Sequence, residues 1–470
     1  VAYDDDFYDN TGITFEITQE GFQIGETISP NETKEIYITF KYKNTEDGNV
    51  PENTILKSYL NFKMEEPNRM VRASSVEETE KYLTGSIIKN QIESIKFEQG
   101  KEPEYSDKIV ERFDASEKQD ESIRGYYTDE DNNGLYELTF VSQEIIYANK
   151  NAQRLFQNLI NATDIEFDNF STFEMSSTYS MFQGCSGLTE LDLSKFDTSK
   201  VTDMSNMFHS CSGLVELNLS GFDTSQVMNM AYMFYQCKGV KRLDLSNFDT
   251  SQVMNTSYMF FKCNELLELS KKGFNTSQVT NMSYMFYGCN KLANLDVSEF
   301  DTSQVVTIER MFYSCSQLTA LDLSNFNTSQ VTNMGGMFHG CINIKRIDVS
   351  NFDTNQVSNM ASMFDSCRQL TDLDISNFDT SKVTNMNSMF ALSPKLKTIY
   401  VSEYDDTNKR GWTILSVESS VQMFRDCANI VGGNGTTYDS NYMDATYARI
   451  DTDETPGYFT NIKDKPAEIE

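Results

Sequence analysis

Asp129, Asp131, Asn133 and Gly134 fall in the D-x-D-x-N-G spacing that opens a calcium loop, within DEDNNGLYELTF at 129–140. Oxygens at alternate positions can wrap a hard cation. The twelfth position, where a bidentate Glu closes such a loop, holds Phe140. Strand-like segments flank Asn133-Gly134, so the stretch also reads as a hairpin turn, the reading we favour. Calcium on Asp129, Asp131 and Asn133 is the one cofactor the sequence raises.

Other reactive constellations are scarce. The 470 residues include two histidines, His209 and His339, which weakens zinc and histidine-based nucleophile chemistry. No GxSxG, HExxH, P-loop or helix-opening GxGxxG occurs, and no CxxC pair. Carboxylates are too abundant for any pair to stand out, so we expect no enzyme. With 39 basic and 70 acidic residues the net charge is −31. That charge repels phosphate backbones and anionic membranes, which argues against nucleic-acid partners. No apolar run approaches the roughly 18 residues of a membrane span. The chain opens at Val1 with no signal peptide visible. We therefore expect a processed product whose export signal or anchor lies outside it.

The cysteines carry the organising signal. They stand at 185, 211, 237, 263, 289, 315, 341 and 367, every 26 residues, each following a Met-Phe pair. A fixed period of this length means a solenoid or related array. Met282, Met285, Phe286, Cys289 and Leu292 fall at i, i+3, i+4, i+7 and i+10, which predicts a short helix. Leu295 and Val297 alternate about Asp296, which predicts a short strand. Each unit thus reads as strand, turn, short helix, an α/β solenoid. The recurring cysteine occupies one inward place. We expect buried free thiols rather than disulfides, because stacked equivalents point in parallel and Ser393 continues the series. Lys271, where Leu, Val or Ile points inward elsewhere, predicts a bulge or a one-residue shift. Met389 is followed by an insert of eight residues before the last Met-Phe-x-x-Cys at 423–427.

Variable positions on such an array are where partner choice would be written. Tyr235, Phe261, Tyr287 and Tyr313 follow successive Met-Phe pairs, with His209 and His339 at the two ends. Tyr232, Tyr258 and Tyr284 stand just ahead of Met in consecutive copies. Stacking would turn them into an aromatic stripe, either a contact surface for a protein or glycan or rings packed on neighbouring helices. A second row, Asp192, Asp244, Asp296, Asp322, Asp348 and Asp374, sits mid-strand and reads as solvated surface rather than a cation ladder.

The flanks differ. Alternation in ITFEI (13–17) and IYITFKY (36–42) predicts a small immunoglobulin-like β-sandwich over 1–66. A linker with a short helix at 75–84 follows over 67–89, opened by the capping box at Ser75. A capping segment over 90–154, with strand-like IESIKF and LYELTF, precedes the repeats at 155–430. A C-terminal cap and tail occupies 431–470.

LDLSNFNTSQVTNMGGMFHGC (321–341) resembles the BspA-like leucine-rich repeats of bacterial surface proteins. The ending GGNGTTYDSNYMDATYARIDTDETPGYFT (432–460) and the lead-in IESIKF…FDASEKQDESIRGYY are similar to those of the same family, so the resemblance covers about 90–460. It implies a leucine-rich-repeat solenoid, export, display on a bacterial cell surface, and non-catalytic binding of an extracellular protein or glycan. A passive spacer of the cell envelope is the alternative.

Overall fold

The computed structural model describes residues 14–20, 37–43, 69, 89–104, 106–408 and 410–466. The chain divides into two compact units, Val1–Pro67 and Asn68–Glu470. In the first, β1 (Thr14–Glu20) and β2 (Tyr37–Lys43) pair antiparallel. The rest of the expected sandwich, and the helix expected at 75–84, lie outside the described residues.

The second unit opens on a sheet of β3 (Ile92–Gln99), β4 (Ile109–Asp114), β5 (Arg124–Thr128) and β6 (Tyr136–Ser142). A two-residue strand β7 (Ile146–Tyr147) follows, and β8 (Asp164–Glu166), from the first coil, joins the sheet beside β3. The strand order is β4-β5-β6-β3-β8. Phe97 packs between the sheet and the array, its ring 5.1 Å from Phe140 and 5.9 Å from Phe167.

From there the chain winds as stacked coils of 26 residues in strict register. β9 (Phe170–Ser171) pairs with β7, and β10 (Glu190–Asp192) lies parallel to β11 (Glu216–Asn218) with Leu191 beside Leu217. β12 (Arg242–Asp244) pairs in the same way with β13 (Glu268–Ser270), and β14 (Asp372–Asp374) with β15 (Thr398–Val401). On another side of each coil, parallel bridges run Asp203 to Asn229 to Asn255 to Asn281 and onward to Asn385.

The expected α/β class is overturned. Among the described residues there is no α-helix, only 3-10 turns at Lys89–Gln91, Ala445–Tyr447 and Ile462–Asp464. The Met-Phe-x-x-Cys segments are successive tight turns, and the unit is strand and turn throughout. Two residues per coil forbid the helix. The residue ahead of each Met-Phe (Tyr284, φ +60°) and the residue ahead of each cysteine (Gly288, φ +73°) are left-handed. Backbone bonding follows suit. Met285, Tyr287 and Cys289 donate N–H three residues back, to Met282, Tyr284 and Phe286. Phe286 and Gly288 donate instead to Met311 and Tyr313 of the next coil, at 2.9 and 2.7 Å. Alternate N–H groups thus close a local turn or join coil to coil, leaving none for an i→i−4 ladder.

The core is built of columns. Phenylalanine rings stack from Phe156 through Phe182, Phe208 and Phe234 to Phe390 and Phe424, with centroids 5.3–6.0 Å apart. All nine cysteines are free and buried. Each thiol donates to a phenylalanine carbonyl of the preceding coil, Cys289 to Phe260 at 3.2 Å, and Ser393 makes the same bond to Phe364 at 3.0 Å. Burial pushes the thiols up, to about 12 for Cys185, Cys263, Cys341 and Cys427, so none is a nucleophile at neutral pH. Buried threonines form a further column, Thr302 Oγ1 donating to Asn327 O at 2.9 Å and Thr328 to Asp353 at 2.8 Å.

Three local expectations resolve. The Asp row accounts for itself through turns: Asp192, Asp244, Asp296, Asp322, Asp348 and Asp374 each accept the N–H of the serine two residues on, at 2.9–3.0 Å. Lys271 causes no bulge or shift. β13 keeps register with β12, and the lysine stem takes the leucine place while its ammonium lies 5.0 Å from the centre of the Phe300 ring. The eight-residue insert loops out between Val401 and Trp412, and the Phe column resumes across it from Phe390 to Phe424 at 5.5 Å. Beyond it the array is closed by β16 (Thr460–Asn461) on β15 and by Trp412 edge-on to Phe459 at 4.9 Å. Asp451, 6 % exposed, organises this cap by accepting N–H groups of Asn434, Thr436 and Gly457 and the Thr436 hydroxyl.

Two outcomes test this architecture. Cys289→Ser should change unfolding free energy by less than about 1 kcal/mol, as Ser393 is native to the same column, whereas Cys289→Leu should cost about 1–3 kcal/mol by overpacking; denaturant titration distinguishes them. For Asp451, burial alone would raise the carboxyl, but its hydrogen bonds from Thr436, Gly457 and Asn434 hold it below the ordinary carboxylate value. A depressed folded pKa gives stability that is present above the unfolded value of about 3.9 and lost as pH falls through the folded one. Trp412 fluorescence, followed during acid titration, should therefore report weakening of the C-terminal cap only as pH falls below about 3.9. Asp451→Asn should weaken the cap at neutral pH and flatten that acid dependence.

Candidate interaction face

The two tyrosine series form two columns on one side of the coils. In the first, His209, Tyr235, Phe261, Tyr287, Tyr313 and His339 stack face to face at 4.4, 4.6, 4.6, 4.4 and 4.0 Å. In the second, Tyr232, Tyr258 and Tyr284 stack at 4.6 and 4.4 Å. The columns touch, with Tyr232 5.6 Å from Tyr235 and Tyr258 5.6 Å from Phe261. The structure thus brings together all seven aromatic residues singled out from the sequence. The rings are half-buried, except Phe261 at 9 % exposure. Along each column the ring faces are closed on one another.

Cations and acids finish the columns. Arg310 stands in the place of the next tyrosine, its guanidinium 5.4 Å over the Tyr284 ring and bonded to the Tyr284 hydroxyl. Gly336 makes room for it, because a Cβ there would lie 2.8 Å from Arg310 Cγ. The Tyr284 hydroxyl also donates to Glu309 Oε1 at 3.1 Å. His339 Nδ1 lies 3.5 Å from Oδ2 of the buried Asp365. Burial pushes the hydroxyls of Tyr232, Tyr258 and Tyr284 up, so they stay neutral donors, and it pushes His209 down, toward the uncharged imidazole.

Sequence reasoning missed a third column. Met228, Met254 and Val306 are 45–49 % exposed, at a position held by Thr in the coils of Thr202, Thr280, Thr332 and Thr384. Met254 donates its N–H to Met228 O, and the chain continues through Thr280 to Val306 at 2.9 Å per step. An apolar residue where the repeat writes Thr was the available signal.

The calcium-loop residues sit elsewhere, in the hairpin between β5 and β6. Asp129 accepts the N–H groups of Asn133 and Gly134, and Asp131 those of Asn133 backbone and side chain. Their oxygens tie the turn. No three His, Cys, Asp or Glu side chains converge as a metal site among the described residues. Nor is any described helix long and apolar enough to cross a membrane.

In-register coils with unbroken core columns define a tandem-repeat protein. The chain matches, over residues 150–270, 268–347 and 341–447, the family described as "Mycoplasma protein of unknown function, DUF285". It belongs to that family, and the three matches tile the coils end to end. No curated protein matches it.

Tyr258 provides a test of the geometry. Left-handed backbone costs a bulky residue about 1–2 kcal/mol, a strain absent at Gly. Tyr258→Gly should therefore be less destabilising than Tyr258→Ala, by about 1 kcal/mol in denaturant titrations. A helix would give the opposite order.

Proposed function

We propose that the protein is a non-enzymatic recognition module displayed on a bacterial cell surface, and that the aromatic face over residues 228–313 is its contact surface. One observation carries this reading. Exposed Met228 and Met254, the left-handed tyrosines Tyr232, Tyr258 and Tyr284, and the Tyr235–Tyr313 series coincide on neighbouring coils. Core packing needs none of them there, since other coils place Thr at the first position and Asn206, Ser362 or Ser388 at the second. Strained bulky residues and exposed apolar ones on the same neighbouring coils support an interaction surface.

The resemblance to BspA-like surface repeats supports export and display. Ring geometry favours a protein partner over a glycan, because sugar stacking needs a free aromatic face and these faces are closed. The same closure favours the second reading, a passive envelope spacer in which the rings stiffen the array.

A binding screen against matrix proteins and glycans, run with the whole chain, decides between them. Two variants are compared: Tyr235→Ala/Phe261→Ala/Tyr287→Ala, and Met228→Thr/Met254→Thr, which restores the residue of other coils. A protein hit whose Kd rises at least about tenfold in both, with the second variant's thermal midpoint unchanged, supports the proposal. Binding unaffected by either variant, or no hit at all, leaves the spacer.

A further inference from the structure

The array contains its own control for a second site. A corner of Asp or Asn, Thr, and then Ser or Asn recurs from coil to coil, and its first residue is exposed at Asp197, Asp223, Asp249, Asn275, Asp301 and Asn327. At Asp353 it is half-buried, and at Asp379 it is 8 % exposed. The difference is the insert, which folds back over these last two corners. Its tip is a small hairpin in which Asp405 N–H donates to Arg410 O at 2.7 Å and Asp405 Oδ1 accepts Thr407 and Asn408 N–H. Gly411, φ +106°, turns the chain where a Cβ would lie 2.7 Å from the Glu403 carbonyl oxygen. Thr380 N–H then donates to Gly411 O at 3.1 Å, pinning the insert to the coil beneath.

Between insert and corners lies a polar cleft of about 270 Å³, lined by Asp353, Asn355, Asp379, Glu403 and Arg410 among others. It is smaller than the roughly 300–1,000 Å³ of drug-sized sites. Arg410 belongs to the insert, and Asn355 stands where the other coils have Ser. Asp353 is occupied by the Asn355 backbone and amide N–H groups, and Glu403 by Asn461 and Lys463. Asp379 is not fully used. Its Oδ1 accepts Ser381 N–H at 3.0 Å, and Oδ2 has no partner among the described residues. Asn355 Oδ1 is likewise sealed from solvent without a partner. Arg410 makes no ion pair among the described residues. A nearly buried carboxylate and a guanidinium therefore face one small cleft without neutralising each other.

We propose that this cleft binds a small zwitterion, an α-amino acid, with its ammonium on Asp379 and its carboxylate on Arg410. Charge-assisted bonds at both ends would satisfy the two opposed groups at once, and a guanidinium fork matches a carboxylate bidentately. Such a site is independent of the aromatic face.

Isothermal titration of the whole chain with glycine, L-alanine, L-serine, L-glutamate, L-lysine and L-phenylalanine tests this. At least one should bind saturably, and for alanine the truncated analogues ethylamine and propionate should bind at least tenfold more weakly. Asp379→Asn, which keeps the acceptor for Ser381, and Arg410→Gln should each weaken binding at least tenfold, and Asn355→Ser should weaken it also. Should Asp379→Asn fail to fold, Arg410→Gln on the exposed insert carries the test. No saturable binding by any of the six, equal binding of either analogue, or binding unchanged in Arg410→Gln overturns the proposal.

Discussion

The hydrogen bond from one coil to the next, from residue i to the carbonyl of residue i+25, is the constraint on which the structure rests. Phe286 to Met311 and Gly288 to Tyr313 are two of a series that recurs in each coil. These bonds fix both the register and the axial spacing, about 4.8 Å per coil where strands pair. Once register is fixed, identical positions must stack, and each position must choose a side chain that tolerates its own copy above and below. Phenylalanine does so by offset stacking, threonine and cysteine by donating to a neighbouring carbonyl, and aspartate by turning its charge into its own Asx turn.

The aromatic columns obey the same rule at the surface. The backbone repeat brings the rings into line, and at 4.0–4.6 Å they close face to face, tighter than the phenylalanines of the core. Under the contact-surface reading proposed above, rings already stacked in this way would need little ordering on association. Half-buried aromatic rings and exposed methionine side chains make up this face, and Arg310 caps the tyrosine column at one end. The cleft under the insert works on the opposite principle. There the period is broken, a charged corner is roofed over, and two groups are left unmatched.

Much of this was legible in the sequence. The period, the inward cysteines and the alignment of the tyrosines follow from spacing alone, since any in-register stack brings position i beside i+26. The helix was the error. Met282, Met285, Phe286 and Cys289 have the spacing of a helical face, but a chain of alternating turns delivers the same side chains to the core. The contrary signal was the glycine ahead of the cysteine at Gly184, Gly288 and Gly340, a residue that favours left-handed backbone and disfavours helix. Tyr232, Tyr258 and Tyr284 hide that preference, because tertiary packing holds them against it. Lys271 misled for a related reason: its stem is as apolar as a leucine, and only its tip had to find the Phe300 ring. The cleft was beyond reach, as an insertion announces its length but not the direction in which it folds.

The bonds between coils run along the axis of the stack, and this decides how the array bears load. Tension applied between its two ends would act on one coil boundary at a time, peeling from a terminus rather than shearing many bonds together. Each release would free 26 residues, roughly 85 Å of contour, before the next boundary is loaded. A protein tethered to a surface at one end and to a partner at the other would then lengthen in equal steps, acting as an extensible leash whose unspent coils keep their fold.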